Sequence, residues 1–420
     1  RVGSFLCVAV AFAFAAGEAI AEPGTLELGL KTEYTDNARL SSFGEVEDFK
    51  NSVTVTVDKI DQIGRLDSLL VGELEYYRYA NDTIYNHLDA NLLWDGNYNI
   101  LPGTLTWGIS DQLSEVTIDS SEPDTPDNRT SRNVFTTGPS YTMNFSKVDF
   151  ANFTAEYQRV DYKTDGDDND RFRLLSSITH LLTPQQKVSA SYNWTKTLFG
   201  SERELYRNEI FASYSYNYSY FYFDGSYGIT HLKGRAGTTT EETDSNTWNV
   251  TLKADTSRTS NLGLTYNREL NDSASGFDQR YEDTVINITD TSVILLTEWS
   301  LFYRKSFSNN SNFNGKIYHN VSDYLIDNRE EERDGVDISY NYPLYHRLTL
   351  GFNAGYEQVE YTPSVRTDEQ YDMSVGTSYE YIRNLFFTAE LARTVQVSNS
   401  AINEYDENRV MIGVRYVPSF

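Results

Sequence analysis

The sequence predicts an all-β protein: a transmembrane, antiparallel, up-and-down β-barrel of about 20 strands, within a range of about 18 to 22, preceded by a cleaved signal peptide. Three observations predict this fold. Apolar and polar side chains alternate along most of the chain. No apolar run beyond the N-terminus approaches the ~20 residues of a membrane helix. The composition is rich in aromatic residues, with 32 Tyr and 22 Phe, yet its mean hydropathy is negative, which suits half-apolar strands.

The alternation is clear in the segment KVSASYNWT, residues 187–195. Val188, Ala190, Tyr192 and Trp194 share one parity, and Ser, Asn and Thr occupy the other. Because successive side chains of a strand point to opposite faces, this pattern predicts one apolar and one polar face. The same pattern recurs in segments 105–110, 247–255, 334–344 and 347–357.

Connections between the predicted strands alternate between short and long. The strands run roughly 10–16 residues, longer than the ~5–6 of globular sheets and sufficient for a tilted membrane crossing. Short periplasmic turns alternating with longer external loops are the layout of outer-membrane barrels. Residues 271–293 are interpreted as one long external loop, with an additional hairpin or a folded-in constriction as alternatives. The short turns are predicted within 58–64, 99–103, 182–186, 217–220, 255–260, 308–312, 342–347 and 382–384.

Residues 1–21 are typical of a secretory signal peptide. A basic first residue precedes an apolar stretch from Phe5 to Ala16, and Ala19-Ile20-Ala21 supplies a small-x-small cleavage site. Cys7, the one cysteine, would leave with the signal, and lipidation there is the weaker alternative. We therefore expect residues 22–420 to form one barrel in the bacterial outer membrane, without disulfides.

Tyrosines occupy alternate positions from Tyr214 to Tyr218, and the aromatic parity then shifts to Phe221 and Phe223. A strand that leaves the bilayer, turns and re-enters changes which parity faces lipid. Aromatic rings near such a turn belong at the headgroup level, where an apolar ring and a wet hydroxyl are both satisfied. The stretch 212–229 therefore predicts an aromatic girdle, with a ligand-stacking platform as the weaker alternative.

Charge and motifs exclude several function classes. The formal charge of −26 argues against nucleic acid as a partner, because binding phosphate requires basic clusters. The sequence contains no GxSxG, Walker or CxxC motif, and its histidines show no ligand spacing. The acidic run 165–170 lacks the spacing of a calcium loop and reads as solvated. The five histidines are His87, His180, His231, His319 and His346. We therefore predict no catalytic residues, no cofactor and no metal site.

Charged residues of the polar parity are the candidates for lining the interior. A barrel this wide either fills its interior or holds water, and charged side chains there tune the selectivity of a channel. The alternative is that they form ion pairs that stiffen the wall. The candidates are Glu73, Glu75, Asp89, Asp95, Asp111, Glu156, Arg171, Arg173, Lys253, Glu298, Arg304, Lys316, Asp337, Glu357, Asp372 and Arg415.

The C-terminal segment indicates how the chain reaches its membrane. Ile412, Val414 and Tyr416 share one parity, and the chain ends in Phe420. Gly413-x-x-Tyr416 followed by a terminal aromatic resembles the signal read by the barrel-assembly machinery, although Pro418 departs from it. The expected partners are thus outer-membrane lipid and lipopolysaccharide, the assembly machinery, and polysaccharide if the lumen carries one.

Three segments carry a family resemblance: TEYTDNARLS (32–41), LEYYRYANDTIYNHLDANLLWD (74–95) and DNRTSRNVFTTGPSY (127–141). Together they resemble an outer-membrane barrel family, porin-like in type, that is linked to PEP-CTERM/exosortase exopolysaccharide systems. The resemblance covers roughly residues 25–270. It implies an outer-membrane location and a role near polysaccharide export, and it offers no catalytic residues.

Two hypotheses of different class follow. The first is a passive porin or conduit associated with exopolysaccharide export or biogenesis, with a polar lumen that favours neutral or weakly charged glycans. The second is a structural or surface-binding barrel with a closed lumen, whose acidic loops bind glycan or partners. A hydrolytic activity on lipid or glycan is the weakest alternative.

Overall fold

Twenty antiparallel strands form one sheet in the computed structural model, which describes residues 24–236, 239–272, 293–325 and 328–418. The predicted signal peptide, residues 1–21, lies outside the described residues, as do most of segment 271–293 and Phe420. The strands are β1 (Thr25–Thr35), β2 (Asp48–Ile63), β3 (Leu66–Tyr79), β4 (His87–Leu101), β5 (Leu105–Thr117), β6 (Arg129–Asn144), β7 (Asp149–Tyr162), β8 (Asn169–Thr183), β9 (Gln186–Phe199), β10 (Arg203–Tyr218), β11 (Phe221–Ala236), β12 (Thr239–Ser257), β13 (Ser260–Asp272), β14 (Val293–Ser306), β15 (Asn312–Tyr324), β16 (Arg329–Tyr345), β17 (Leu348–Thr362), β18 (Arg366–Ile382), β19 (Leu385–Ser398) and β20 (Tyr405–Tyr416).

The sheet closes on itself. Each strand pairs with its neighbours in sequence, and β1 pairs with β20 from Leu28–Tyr416 to Thr35–Arg409. Closure leaves no sheet edge, which is the condition for a β-structure to span a bilayer. The predicted fold class, an up-and-down barrel of about 20 strands, is confirmed. Within the described ranges, the helical structure is limited to two short 3₁₀ turns, Pro126–Asn128 and Ala401–Asn403.

No helix of the described chain has the length and hydrophobicity of a membrane-crossing segment.

The two ends of the barrel differ in their connections. Both β1 and β20 have their terminal ends on the side of the short turns, such as Gly64–Arg65 and His346–Arg347. The opposite end carries the longer connections, including 36–47 and 118–128. We call these the periplasmic end and the outer end. The acidic stretches 240–244 and 329–334 are strand residues at the outer ends of β12 and β16.

The two faces of the wall follow the predicted parity. In β10, the even positions up to Tyr218 face outward, and across the two-residue turn the odd positions Phe221 and Phe223 do so. Tyr214 and Phe223 bring their ring centroids to 6.0 Å, and Tyr216 stacks on Tyr218. The aromatic girdle predicted at this turn is therefore present on the outward face.

The wall separates between two pairs of neighbouring strands at the outer end. Pairing of β4 with β5 stops at Leu92–Leu113, although both strands continue outward. Pairing of β12 with β13 stops at Trp248–Arg268 in the same way. Beyond these points β5 and β13 are displaced toward the barrel interior. Their outward-facing side chains then lie against the inner faces of the preceding strands. This displacement shapes the outer mouth.

Candidate functional site: a polar interior crossed by a loop

The interior face of the wall is polar. Strand register defines one face of the sheet: the even positions of β2 lie beside the odd positions of β3, and the pairings continue around the closed barrel. This face carries most of the charged strand residues. The opposite face carries exposed apolar side chains such as Leu30, Ile210 and Ile412. Contacts across the barrel identify the polar face as the inner one: Ser120 Oγ donates to Glu331 Oε1 at 2.8 Å between opposite sides of the wall.

Register places all of the predicted interior residues on this inner face except Asp111. Asp111 pairs with Trp94 on β4 and Phe135 on β6, and it shares the parity of the outward-facing Trp107. The expectation for Asp111 is therefore wrong. The carboxylate is buried there, and the hydrogen bond that it accepts from Asn133 Nδ2 at 3.0 Å offsets part of the cost of that burial.

Many interior charges are paired. Arg173 meets Glu156 at 3.1 Å, and Arg415 meets Glu27 at 3.0 Å. Glu75 lies 4.0 Å from Lys50. These pairs join neighbouring strands, so they stiffen the wall as well as setting its charge.

Other predicted interior residues contact neutral groups. Asp372 accepts from Thr394 Oγ1 at 2.7 Å, Glu73 from Thr56 Oγ1 at 3.1 Å, and Asp95 from Asn97 Nδ2 at 2.8 Å. The cationic groups of Lys253, Arg304 and Lys316 lie over the rings of Tyr222, Phe302 and Tyr318 at 5.9, 5.0 and 5.6 Å.

Three cavities run along the inner wall formed by β14 to β20 and β1. The middle cavity, about 720 Å³, is lined by Arg304, Lys316, Asp337 and Asp372 among others. It shares Asp372, Thr394 and Arg409 with a cavity of about 370 Å³ toward the outer end. It shares Asn353 and Glu390 with a cavity of about 340 Å³ toward the periplasmic end. The shared residues show that the three cavities adjoin one another along the wall.

Residues 118–128, which we call the crossing loop, span the outer end of this space. The loop starts from β5 and reaches the inner faces of β16, β17 and β18 on the other side of the barrel. Besides the Ser120–Glu331 bond, Tyr361 Oη donates to the Ser120 carbonyl at 3.3 Å and Arg366 Nη2 to the Ser121 carbonyl at 2.5 Å. Residues 120–124 of the loop line one side of the outer cavity.

The separated hairpin β13–β14 narrows the mouth from another side. Leu270 and Val293, on the outward-facing side of this hairpin, pack with Leu205 and Leu232 from the inner faces of β10 and β11. Asp272 forms an ion pair with Arg171 of β8. The base of segment 271–293 is therefore folded inward, whereas residues 273–292 lie outside the described part of the chain and leave the alternatives for them open.

A small hydrophobic core lies between the first two outer loops. Ala38 of the first loop and Ile84 of the second are buried with Tyr77 and Tyr79 of β3. Asp48 accepts hydrogen bonds from the backbone N–H groups of Asn81 and Thr83 in the second loop. These contacts fix both loops against the inner wall.

Four of the five histidines, His87, His180, His231 and His319, lie beside carboxylates, a feature that their spacing in the sequence did not reveal. On the outward face, His231 bonds Asp244 at 2.6 Å and His319 bonds Asp334 at 2.9 Å, each across one strand pair. On the inner face, His87 lies near Asp89 and Glu115. The signal available in the sequence was the H-x-D spacing of β4, which places two side chains on one face of a strand.

Comparisons with known proteins agree with this architecture. Residues 333–417, the segment from β16 to the end of β20, match the family model described as "Putative beta-barrel porin 2". No curated protein matches the sequence. The matched segment contributes much of the wall that lines the three cavities.

Solved structures show the same fold. The FrpB iron transporter from Neisseria meningitidis, F5-1 variant, is similar at a TM-score of 0.52 and 8% identity over 95% of this chain and 83% of that one. The F3-3 variant is similar at a TM-score of 0.50 and 9% identity, over 96% of this chain and 82% of that one. OpdO of Pseudomonas aeruginosa has a TM-score of 0.45 and 10% identity, over 95% of this chain and 98% of that one. At these identities the two FrpB likenesses establish the fold and not a substrate.

The closed sheet, its lipid-facing apolar side, its polar interior and the family match define the class: this is a porin-like β-barrel of the bacterial outer membrane.

Proposed function

We propose that the protein is a passive conduit through the outer membrane. The observation that carries the proposal is the row of three adjoining polar cavities along the inner wall, from the crossing loop toward the periplasmic end. Its lining mixes both charge signs with Asn, Ser and Thr, which is a lining that water and polar solutes wet. Solute moves down its gradient, and we assign no catalytic step to the protein.

The proposed cargo is a neutral or weakly charged exopolysaccharide on its way out of the cell. Two points support it. The N-terminal segments resemble barrels linked to PEP-CTERM/exosortase exopolysaccharide systems. Hydroxyl-rich glycans match an interior of amide and hydroxyl side chains with tyrosine rings, such as Tyr361 and Tyr405 beside the outer cavity. The interior carboxylates, including Glu357, Asp368 and Asp372, disfavour strongly anionic polymers.

Planar-bilayer recordings test the conduit. The purified, folded barrel is expected to insert with discrete conductance steps, and neutral oligosaccharides are expected to block the current from at least one side. An anionic oligogalacturonate of matched length serves as the comparison and is expected to block less. A folded barrel that inserts without conductance would reject the conduit, and stronger block by the anionic oligomer would reject the cargo class.

The second candidate is a closed barrel whose outer loops bind glycan or a partner. The crossing loop favours it, because three hydrogen bonds tie this loop to the opposite wall. Replacing residues 119–127 by a short Gly-Ser linker separates the two functions. A conduit gains conductance or keeps it, whereas a loop-based binder loses glycan or cell-surface attachment while its conductance stays at zero.

A further inference from the structure

The gap between β4 and β5 holds an unusual polar cluster. Beyond Leu92–Leu113 the two strands no longer share ladder hydrogen bonds. The backbone N–H of Glu115 instead donates to the side-chain Oδ1 of Asn91 at 3.1 Å. With β5 displaced inward, the side chain of Glu115 turns toward the inner face of β4, where His87 and Asp89 lie.

Three potential ligand atoms converge in this gap. His87 Nε2 lies 3.2 Å from Asp89 Oδ1 and 3.8 Å from Glu115 Oε2, and all three atoms lie within 4.8 Å of one another. The side chains are 22%, 17% and 3% exposed. Each of the three atoms is buried and has no hydrogen-bond partner within the described residues.

The surroundings hold these atoms in place. Ser131 Oγ donates to Glu115 Oε1 at 2.6 Å, which orients the carboxylate and leaves Oε2 directed at His87. The Tyr77 ring packs 5.8 Å from the imidazole of His87. Besides His87, two cations act on Asp89, and both are engaged elsewhere, Arg129 by Asp124 and Lys50 by Glu75.

Unpaired buried carboxylates are costly, because desolvation and mutual repulsion both oppose them. A bound cation removes both costs. Metal–ligand bonds of about 2.0–2.2 Å place the ligands of a tetrahedral site roughly 3.3–3.6 Å apart, close to the separations found here. One imidazole with two carboxylates suits a first-row divalent metal such as zinc better than the all-oxygen shell of calcium.

We propose that His87 Nε2, Asp89 Oδ1 and Glu115 Oε2 bind one first-row divalent cation, with a remaining position open to water. Bound there, the metal links β4 to β5 where their backbone ladder has ended, at the base of the crossing loop. It therefore fixes the position of that loop. The site does not depend on what the lumen carries.

A second group of His and acidic residues provides a matched control. His319, Glu332 and Asp334 also converge, but Glu332 and Asp334 are 41% and 58% exposed on the outward face, and His319 Nδ1 is already hydrogen-bonded to Asp334 at 2.9 Å. Water hydrates such exposed carboxylates, so they need no metal to balance their charge, and we assign none to this group.

Calorimetric titration of zinc into the chelator-treated, refolded barrel tests the site. We expect one saturable equivalent. The variants Glu115→Gln and His87→Asn are each expected to weaken the affinity for zinc at least tenfold. The control variant His319→Asn is expected to leave that affinity unchanged. Calcium at the same concentration should not compete. Heat-modifiable migration on gels verifies that each variant is folded.

Two results would overturn the proposal. One is the absence of saturable zinc binding to the folded barrel. The other is equal binding by Glu115→Gln, His87→Asn and the parent protein. Either result is independent of conductance, so the site and the proposed conduit fail or stand separately. A protonated His87 that merely pairs with both carboxylates predicts the first result.

Discussion

The hydroxyl of Ser120 donates to the carboxylate of Glu331 at 2.8 Å, and both residues are buried. The two residues belong to opposite sides of the barrel, one to the loop after β5 and the other to the inner face of β16. Bonds from Tyr361 and Arg366 join the same loop to β17 and β18. The outer mouth is therefore held by a small set of side chains that substitution can remove.

Releasing the crossing loop should increase the current. In Tyr361→Phe combined with Arg366→Gln, two hydrogen bonds to the loop carbonyls are lost or weakened, each worth about 0.5–3 kcal/mol. We expect higher and noisier single-channel conductance. Tyr356→Phe, on the outward face of the same strand as Tyr361, is the control and should conduct like the parent. Equal conductance in all three proteins would show that the loop does not limit flow.

Interior charge should set ion selectivity. Asp337 lines the middle cavity, whereas Asp334 of the same strand points outward and is exposed. Asp337→Asn removes one negative charge from the cavity, so reversal potentials in a KCl gradient should shift toward anions. Asp334→Asn should cause no such shift, because water and salt screen its charge. An equal shift in both variants would contradict the assignment of the inner face.

The buried ion pairs below the crossing loop should matter for stability. Arg333 lies 3.7 Å from Glu331 and 2.9 Å from Glu357, and the Arg333 and Glu331 side chains are almost fully buried. Arg333→Ala leaves Glu331 buried without this partner, which we expect to cost about 3–5 kcal/mol in urea unfolding. The double variant Glu331→Gln with Arg333→Met should recover much of that loss. A double variant less stable than Arg333→Ala alone would argue against uncompensated charge as the cause.

Gly138 should resist substitution. A Cβ there would lie 1.9 Å from the carbonyl oxygen of Ala155, and the β6–β7 register is interrupted at Gly138 and Pro139. Gly138→Ala forces the two strands apart, and we expect a loss of about 1–3 kcal/mol and a lower yield of heat-modifiable barrel. Gly108→Ala tests the cross-strand partner of Gly138, where the nearest atom to an added Cβ is 3.4 Å away, and it should be nearly neutral.

Local alternation was sufficient to predict the faces of most strands. The parity change between Tyr218 and Phe221 follows from a two-residue turn, and the structure has that turn. Asp111 shows where a shortcut failed. Its charge suggested the interior, whereas its spacing from Trp107 and Ile109 placed it on the outward face, and the spacing was the better guide because register is fixed by the backbone.

Contacts distant in sequence were not predictable in this way. Nothing in segment 118–128 indicates that Ser120 meets Glu331, since the partners are 211 positions apart. The convergence of Glu115 on His87 likewise depends on two strands separating, which a periodic pattern does not encode.

The sequence by itself determined a closed membrane barrel of about 20 strands, its short turns and, for most residues, the lipid-facing and interior sides, because these depend on local alternation of apolar and polar side chains and on the spacing of turns. The tertiary structure alone decided how wide the mouth is, which charges pair and where polar atoms converge, because those depend on how far opposite walls stand apart and on where neighbouring strands stop sharing hydrogen bonds.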